Sequence, residues 1–356
     1  MEQRIHRLRR RMEESDIGAF LVSHPVNRRY VTGFTGSSGV ALITATEAIL
    51  ITDFRYLTQV KEQAPHMTLV QHKGPILETV AEQCRQLGVK SLAFEQDHLT
   101  FSQHQQLEGF LNGIATDPVS DIVEELRMIK DEEELSVIRD AALIADRAFY
   151  QIIQEIKPGM KEKDVALRLE ILMREMGASS SSFDIIVASG LRSALPHGTA
   201  SDKVLEKGDL VTMDFGAYYQ GYASDITRTI MLGQPNEKQK EIYDVVLEAQ
   251  KCCIAQIRPG ITGREADGVA RDYITKHGYG DSFGHGTGHG LGLEVHEAPR
   301  LSIHGNTVLA PGMVVTVEPG IYLPELGGVR IEDDVLITES GCEVLTHANK
   351  ELIMID

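Results

Sequence analysis

The strongest constraint on the fold is an internal repeat in the carboxy-terminal part of the sequence. Residues 157–177, which begin Lys-Pro-Gly, match residues 258–278, which begin Arg-Pro-Gly, at an offset of 101 residues. Residues 204–218 (VLEKGDLVTMDFGAY) match residues 308–322 (VLAPGMVVTVEPGIY) at an offset of 104 residues. Two separated blocks with nearly equal offsets indicate a duplicated unit of two helices and a sheet. We expect the two copies to be related by a pseudo-two-fold axis, with related residues converging at one site.

The repeat occupies only part of the chain, so a further domain is expected before it. At roughly 150 residues per domain, a length of 356 residues is typical of two domains. Residues 1–124 are predicted to form a small α/β domain, because short strand-like segments alternate with helical periodicity. The predicted elements are strands at Ala19–Val22, Val40–Thr44, Ala48–Thr52 and Leu92–Phe94, and a helix from about Ile76 to Leu87.

The second predicted domain, residues 125–356, opens with a long amphipathic helix. An aspartate and three glutamates at 131–134 suit the positive end of a helix dipole. Apolar residues then recur at steps of three and four from Ile138 to Ile156. Together with the repeat, this pattern predicts an α+β domain with internal duplication.

The charge balance limits the partners of the chain. Lysine and arginine number 35 against 52 acidic residues, a formal net charge of −17, which argues against nucleic acid or an anionic membrane as a partner. The four cysteines form no C-x-x-C pair, so neither a zinc knuckle nor a disulfide framework is predicted. Met1–Gly18 does not resemble a signal peptide, and no apolar run is long enough to span a membrane. We therefore expect a soluble, cytoplasmic protein.

Four acidic residues fall within segments rich in core-forming residues. Asp214 (VTMDF) and Asp225 (ASDITRTI) lie in the first repeat, and Glu318 (VVTVEP) and Glu332 (VRIEDD) lie in the second. A buried carboxylate is unfavourable unless it is paired or bound to a metal. An Asp pair taken alone also fits carboxylates of a hairpin that face solvent. Their recurrence at related positions in both repeats favours a shared site instead.

A source of imidazole lies at 284–297 (GHGTGHGLGLEVHE), which contains five glycines within nine residues and three histidines within twelve. No Gly-Lys-Ser/Thr follows, and no basic residue occurs from Gly278 to Pro299, so a phosphate-binding loop is not indicated. Four carboxylates and an imidazole suit two divalent ions of intermediate softness, such as Mn²⁺, Co²⁺, Fe²⁺ or Zn²⁺.

The set Asp214, Asp225, His289, Glu318 and Glu332 resembles the five-ligand dinuclear site of the pita-bread metallopeptidases. This family includes methionine aminopeptidase, aminopeptidase P and prolidase. The resemblance covers about residues 125–356 and rests on the segments MDFGAYYQGYASDITRT, GHGTGHGLGLEVHE, VVTVEPGIY and GGVRIEDD. It implies a pita-bread fold and two divalent metal ions, with Mn²⁺ expected first.

The first domain sharpens the resemblance. Residues 27–39 (NRRYVTGFTGSSG) and 52–56 (TDFRY) resemble the amino-terminal domain of aminopeptidase P, prolidase and creatinase, which plain methionine aminopeptidases lack. The resemblance therefore implies hydrolysis of the Xaa-Pro bond of dipeptides or short peptides, and a homodimer. A catalytically silent binding module and a creatinase-like amidinohydrolase are the alternatives, and the choice between dipeptidase and aminopeptidase P stays open.

The resemblance also implies roles for individual residues. Asp225 and Glu332 would bridge the two ions, Asp214 would complete one site, and His289 with Glu318 the other. Glu318 would also move the water proton to the leaving proline nitrogen. His296 would polarise the scissile carbonyl, and His197 would position the substrate. Arg330 would bind the substrate carboxylate or brace the metal ligands. Tyr322 would line the pocket or serve in packing.

Overall fold

A short helix, Glu124–Met128, lies where the chain divides. A computed structural model covers residues 1–356, and it separates into two units, Met1–Arg127 and Met128–Asp356. The boundary predicted after residue 124 falls at the start of this helix. No helix in either unit combines the length and the apolar character needed to cross a bilayer.

The first unit is an α/β domain. Its elements are α1 (Glu2–Glu14), β1 (Ala19–Val22), α2 (Pro25–Thr32), β2 (Val40–Thr44), β3 (Ala48–Thr52), α3 (Leu57–Gln63), β4 (Thr68–Gln71), α4 (Ile76–Gln86), β5 (Ser91–Glu95), α5 (Phe101–Leu111), β6 (Ala115–Val119) and α6 (Glu124–Met128). The strands form one sheet in the order β4-β3-β2-β1-β5-β6. Its core joins apolar residues of the sheet to Val80 of α4 and Leu107 of α5. The predicted strands and the predicted helix of this domain are confirmed.

The second unit contains four long helices and several small sheets. Its elements are α7 (Glu132–Glu155), α8 (Glu162–Glu175), β7 (Ser180–Ser181), β8 (Ile186–Ser189), β9 (Leu210–Phe215), β10 (Ala217–Tyr219), β11 (Tyr222–Ala223), β12 (Ile226–Leu232), α9 (Glu237–Gln256), α10 (Gly263–Lys276), β13 (Gly288–Gly290), β14 (Glu297–Leu301), β15 (Val314–Val317), β16 (Gly320–Leu323), β17 (Gly327–Arg330), β18 (Asp333–Ile337), β19 (Cys342–Val344) and β20 (Met354–Ile355). The two larger sheets have the orders β20-β12-β9-β8 and β14-β13-β15-β18-β19.

Helix α7 shows why an acidic run lies near the start of the second unit. The Asp131 side chain accepts the Glu134 backbone N–H at 2.9 Å, and the Glu134 side chain accepts the Asp131 backbone N–H at 2.9 Å. This reciprocal capping box satisfies backbone donors that the helix itself cannot satisfy. The predicted helix is therefore confirmed, with its first residue at Glu132.

The duplication is visible in matching backbone hydrogen bonds at the two helix starts. The Glu162 N–H donates to the Lys203 carbonyl, and the Gly263 N–H donates to the Thr307 carbonyl, both at 3.0 Å. One residue later the pattern repeats at both helix starts. At each site the Pro-Gly turn and the start of a helix are fixed against the segment that precedes a strand of one of the larger sheets.

Three details of the second unit bear on the sequence predictions. The tyrosine-rich residues 216–222 are predicted as a turn between two strands, whereas in the structure β10 and β11 pair there as a small antiparallel hairpin. Asp225 lies immediately before β12, and Glu318 immediately after β15. Glu332 lies between β17 and β18, so Arg330 and Glu332 do not share one regular strand. The carboxylates thus lie at strand ends, where the backbone can turn them into a common space.

Two glycines of α10 give opposite stability predictions. A Cβ at Gly263 would lie 2.1 Å from the Arg300 backbone oxygen, whereas a Cβ at Gly268 would meet nothing within 4 Å. We expect Gly263→Ala to destabilise the fold by about 1–3 kcal/mol through overpacking. Gly268→Ala should stabilise it by up to about 1 kcal/mol through helix propensity. Thermal unfolding midpoints of the two variants check this, and a lower midpoint for Gly268→Ala would contradict it.

Candidate metal centre

Five predicted ligand residues line one cavity of about 440 Å³. They reach it from strand ends of both larger sheets and from the connection between β17 and β18. The residues are Asp214, Asp225, His289, Glu318 and Glu332. Residues more than 100 positions apart in sequence therefore meet because both repeats present their strand ends to the same space.

The tightest part of the cavity is a three-residue cluster. Ligand atoms of Asp225, His289 and Glu332 lie within 4.8 Å of one another, and all three residues are buried. His289 Nε2 lies 3.7 Å from Asp225 Oδ2 and 3.5 Å from Glu318 Oε1. These separations let several side chains contact one small cation.

His289 is oriented as a ligand by its other ring nitrogen. Its Nδ1 lies 3.0 Å from the Gly290 backbone oxygen. Because a carbonyl can only accept, Nδ1 carries the proton and the lone pair of Nε2 faces the carboxylates. Burial lowers the pKa of His289 to about 4, so the neutral, ligand-competent ring is present at neutral pH.

The carboxylates disfavour one another's ionised forms. Burial, followed by the charges of Glu332 and Asp214, raises the pKa of Asp225 well above its usual range. Burial, followed by the charges of Glu318 and Asp214, does the same for Glu332. Burial raises the pKa of Glu318 to about 7, against the opposing positive charge of Arg330. The cluster therefore needs additional positive charge in order to be fully ionised at neutral pH.

Two carboxylate oxygens in the cavity have no hydrogen-bond donor and are therefore available to a cation. Asp214 Oδ1 and Asp225 Oδ1 are buried and accept no hydrogen bond. Buried polar atoms without partners are rare, because each loses its interactions with water. The carboxylates and the Nε2 of His289 provide oxygen and nitrogen donors that suit divalent ions such as Mn²⁺, Zn²⁺ or Co²⁺. The residues present therefore fit a divalent metal centre.

Arg330 is buried and forms hydrogen bonds to Asp214 and to Thr227, which contacts Glu332. Its Nη2 donates to Asp214 Oδ2 at 2.6 Å, and its Nε donates to the Thr227 hydroxyl at 3.1 Å. The Thr227 hydroxyl in turn donates to Glu332 Oε2 at 2.6 Å. Of the two roles expected for Arg330, the geometry matches bracing of the ligands.

Tyr322 joins Arg330 to a histidine that sequence reasoning left without a role. Arg330 Nη1 donates to the Tyr322 hydroxyl at 2.9 Å, and that hydroxyl donates to His285 Nε2 at 2.7 Å. Burial raises the pKa of Tyr322 to about 12 and lowers the pKa of His285 to about 4. His285 lines the cavity. The sequence could have indicated His285 as a site residue, because it lies in the same glycine-rich segment as His289.

The two non-ligand histidines lie at the cavity with exposed side chains. His197 and His296 both line it. The His296 ring packs edge-on against His289, with ring centroids 4.5 Å apart, so a spacing of seven residues brings the two histidines together. Burial and the charge of Arg300 lower the pKa of His296.

Arg300 was missed as a cavity residue. It lies on β14, whose burial alternates along the strand, and Arg300 is on the exposed side. It also lines the cavity. The sequence could have indicated Arg300, because it is a basic residue four positions after His296. Arg300 brings a solvent-accessible positive charge to a cavity otherwise dominated by carboxylates.

The raised carboxylate pKa values predict an unusual pH dependence for metal-free protein. The folded state holds the Glu318 proton up to about pH 7, whereas the unfolded chain releases it near pH 4.3. The folded state therefore binds more protons in this interval, and its stability falls as pH rises. We expect a loss on the order of 2 kcal/mol between pH 5 and 7.5 in chelator. Thermal unfolding midpoints across this range measure it.

Two variants identify the source of that slope. Glu318→Gln removes one of the titrating carboxylates and should make the pH dependence shallower, while Asp225 and Glu332 keep the remaining slope. Glu155→Gln is the matched control, because Arg168 lowers the pKa of the exposed Glu155 and its titration lies below the tested range. Parallel pH curves for wild type and Glu318→Gln would contradict the prediction.

Comparisons with known proteins agree with this geometry. The model of metallopeptidase family M24 matches residues 136–339, and that of the Creatinase/Prolidase N-terminal domain matches residues 4–129. The solved structure of an Xaa-Pro dipeptidase from Bacillus anthracis has a TM-score of 0.98 and 54% identity, with 99% of both chains covered. An Xaa-Pro dipeptidase from Pyrococcus furiosus is 43% identical over 99% of this chain and 100% of its own.

A solved X-Pro aminopeptidase from Thermotoga maritima has a TM-score of 0.91 and 41% identity, covering 97% of this chain and 100% of its own. Dipeptidases and an aminopeptidase thus share the whole fold with this chain. The expected pairing of a creatinase-like first domain with a pita-bread second domain is confirmed. The chain belongs to metallopeptidase family M24.

Proposed function

We propose that the chain is a divalent-metal-dependent peptidase that hydrolyses the bond between an amino-terminal residue and a following proline. The observation that carries this proposal is the cluster of buried carboxylates and one imidazole in a single cavity, with two carboxylate oxygens that accept no hydrogen bond. Similarity to Xaa-Pro dipeptidases over the full chain supports the substrate class. The intact ligand set counts against a silent binding module and against a metal-independent creatinase-like enzyme.

The metal assignments follow the ligand chemistry and the family resemblance. Asp225 and Glu332 are proposed to bind both ions, Asp214 to complete one site, and His289 and Glu318 to complete the other. Mn²⁺ is proposed as the working ion, since carboxylates dominate the donor set. Co²⁺, Zn²⁺ and Fe²⁺ are the alternatives. Divalent ions bound there lower the pKa of water and polarise a peptide carbonyl.

Glu318 is proposed to move the proton. Glu318 lies in the cavity 3.5 Å from His289 Nε2, and a carboxylate held at this place can accept a proton and release it again. Glu318 takes a proton from the attacking water and gives it to the proline nitrogen as the peptide bond breaks. This transfer lets proline leave as a neutral amine.

The cavity histidines and Arg330 complete the proposed roles. His296 donates a hydrogen bond to the oxygen of the scissile carbonyl as negative charge develops on it. His197, which also lines the cavity, helps to position the substrate. Arg330 and Tyr322 hold Asp214 and His285 in place through the hydrogen bonds described above.

Arg300 favours dipeptides as the preferred substrates. A dipeptide places its free carboxylate directly on the proline, close to the scissile bond. Arg330 is engaged by Asp214 and Tyr322, whereas Arg300 lines the cavity with its side chain exposed. We infer that the Arg300 guanidinium binds this carboxylate. A homodimer and a cytoplasmic location rest on the sequence arguments alone and stay predictions.

Removal of metal tests the main proposal. Dialysis against a chelator should abolish hydrolysis of Ala-Pro, because the side chains alone do not lower the pKa of water or polarise the peptide carbonyl as divalent ions do. Addition of Mn²⁺ should restore the rate, with Co²⁺ as the comparison ion. Proline release measured by amino-acid analysis gives the readout. Full activity after exhaustive chelation, or no activity with any of the four ions, would overturn the proposal.

Replacement of Arg300 tests the substrate preference. Arg300→Ala should lower kcat/KM for Ala-Pro by about 10-fold, mainly through KM, because a charge-assisted hydrogen bond is lost. For Ala-Pro-Ala, whose carboxylate lies one residue further away, the change should be under about threefold. Arg300→Lys is the matched control that keeps the charge. Equal losses for both substrates would exclude carboxylate binding by Arg300.

A further inference from the structure

The segment Ser189–Ser201, here called the His197 segment, forms part of the cavity wall. Apolar packing gives it little support, because Leu191 and Leu195 are 61% and 51% exposed. His197 is itself exposed. The position of His197 at the cavity therefore depends on how the ends and the middle of this segment are held.

Glu162, the first residue of α8, holds both ends of the His197 segment. Its side chain is fully buried. Glu162 Oε1 accepts the backbone N–H and the hydroxyl of Ser189, both at 2.8 Å. Glu162 Oε2 accepts the backbone N–H of Ser201 at 3.0 Å and its hydroxyl at 2.7 Å. One carboxylate thus closes a loop of thirteen residues.

Arg192 extends this contact to the middle of the segment. Its Nη1 donates to Glu162 Oε2, and its Nη2 donates to the Thr199 backbone oxygen at 2.8 Å. Thr199 lies two residues after His197. The guanidinium therefore ties the backbone beside His197 to the same buried carboxylate.

The chemistry of this site requires a carboxylate. Glu162 accepts from five donors and has no donor of its own to offer when ionised. A glutamine would present its NH₂ group to N–H and O–H donors, leaving buried groups unpaired. The positive charge of Arg192 and the four other donors stabilise the buried negative charge.

The segment is also connected to the metal ligands. Arg330 Nη1 donates to the Pro196 backbone oxygen at 3.1 Å, and the same guanidinium donates to Asp214. Pro196 precedes His197 directly. A displacement of the His197 segment would move His197 first and would reach Asp214 only through Arg330.

We propose that Glu162 is a positioning residue that sets the place of His197 at the cavity. The kinetic form of this inference rests on the proposed function, whereas its structural form does not. Glu162 is buried and does not line the cavity, so it acts through Ser189, Arg192 and Ser201.

Asp267 provides a matched control on the other wall of the cavity. It is also buried, and its Oδ1 accepts the backbone N–H of Thr287 at 3.0 Å and its hydroxyl at 2.9 Å. The Thr287 backbone oxygen accepts the N–H of the proposed ligand Glu318 at 2.7 Å. Loss of the Asp267 carboxylate should therefore disturb metal binding, and loss of the Glu162 carboxylate should disturb substrate positioning.

Hydrogen exchange tests the structural form. In Glu162→Gln, amides of residues 189–201 should exchange faster, while those of residues 283–290 keep wild-type rates. Asp267→Asn should show the reverse pattern. Mass spectrometry of peptides from the full-length chain gives both readouts. Unchanged exchange in residues 189–201 of a folded Glu162→Gln protein would overturn the inference.

Kinetics test the functional form. Glu162→Gln should lower kcat/KM for Ala-Pro by about 10–100-fold, while Mn²⁺ binding measured by calorimetry changes by less than about threefold. In a His197→Ala background the same substitution should cost less than about threefold more, because both changes remove one function. An undiminished loss in that background, or a loss of Mn²⁺ affinity equal to that of Asp267→Asn, would overturn the assignment.

A milder variant covers the case in which Glu162→Gln does not fold. Arg192→Ala removes a side chain that is 28% exposed and should show the same pattern in exchange and in kinetics, with smaller effects. Wild-type values for both would overturn the inference. Failure of the wild-type protein to cleave Ala-Pro with any divalent ion would reject the proposed function instead, and the exchange experiment would still decide on Glu162.

Discussion

The burial of several carboxylates in one cavity is the constraint on which the candidate metal centre depends. Asp225, Glu318 and Glu332 all have raised pKa values because burial and neighbouring negative charge disfavour ionisation. Arg330 is a buried cation in contact with a carboxylate of this cavity, Asp214. A site of this kind is less favourable than an apolar core until cations bind. The cavity therefore holds more negative charge than Arg330 balances, and bound cations would supply the missing positive charge.

Such a site requires a backbone that holds the acids together despite their repulsion. The fold meets this requirement by placing each carboxylate at or beside the end of a strand. Residues of neighbouring strands then hold the carboxylates or their backbone by hydrogen bonds. Thr227 on β12 contacts both Glu332 and Arg330. The Asp225 backbone N–H donates to Asp334 at 3.0 Å, within the strand that follows Glu332. The ligands are thus fixed by bonds to non-ligand residues, which is how outer contacts tune metal sites in general.

Local signals in the sequence were sufficient to predict several of the helices and strands. The hairpin of β2 and β3 and the helix α7 follow from alternation, periodicity and capping within a few residues. The repeat pointed to four of the five proposed ligands, the carboxylates, and the order shared with a known family added His289; the structure brings all five residues to one cavity. Contacts between distant residues were not accessible in this way. Arg330 and Asp214 are separated by 116 positions, and neither the break in the strand before Glu332 nor the bond from Tyr322 to His285 has a local pattern.

The two repeats use one equivalent position in different ways, each beside a segment that lines the cavity. Glu162 and Gly263 are equivalent, since their N–H groups make matching bonds at the two helix starts. In the first repeat the side chain at this position binds the His197 segment. In the second repeat the backbone oxygen of Arg300 lies only 2.1 Å from the place that a Cβ would take, so glycine lets the strand that carries Arg300 approach the helix. A side chain on one side and its absence on the other therefore position the two segments that bring His197 and Arg300 to the same cavity. The two repeats thus differ at one equivalent position, and the cavity that they line together is not symmetric.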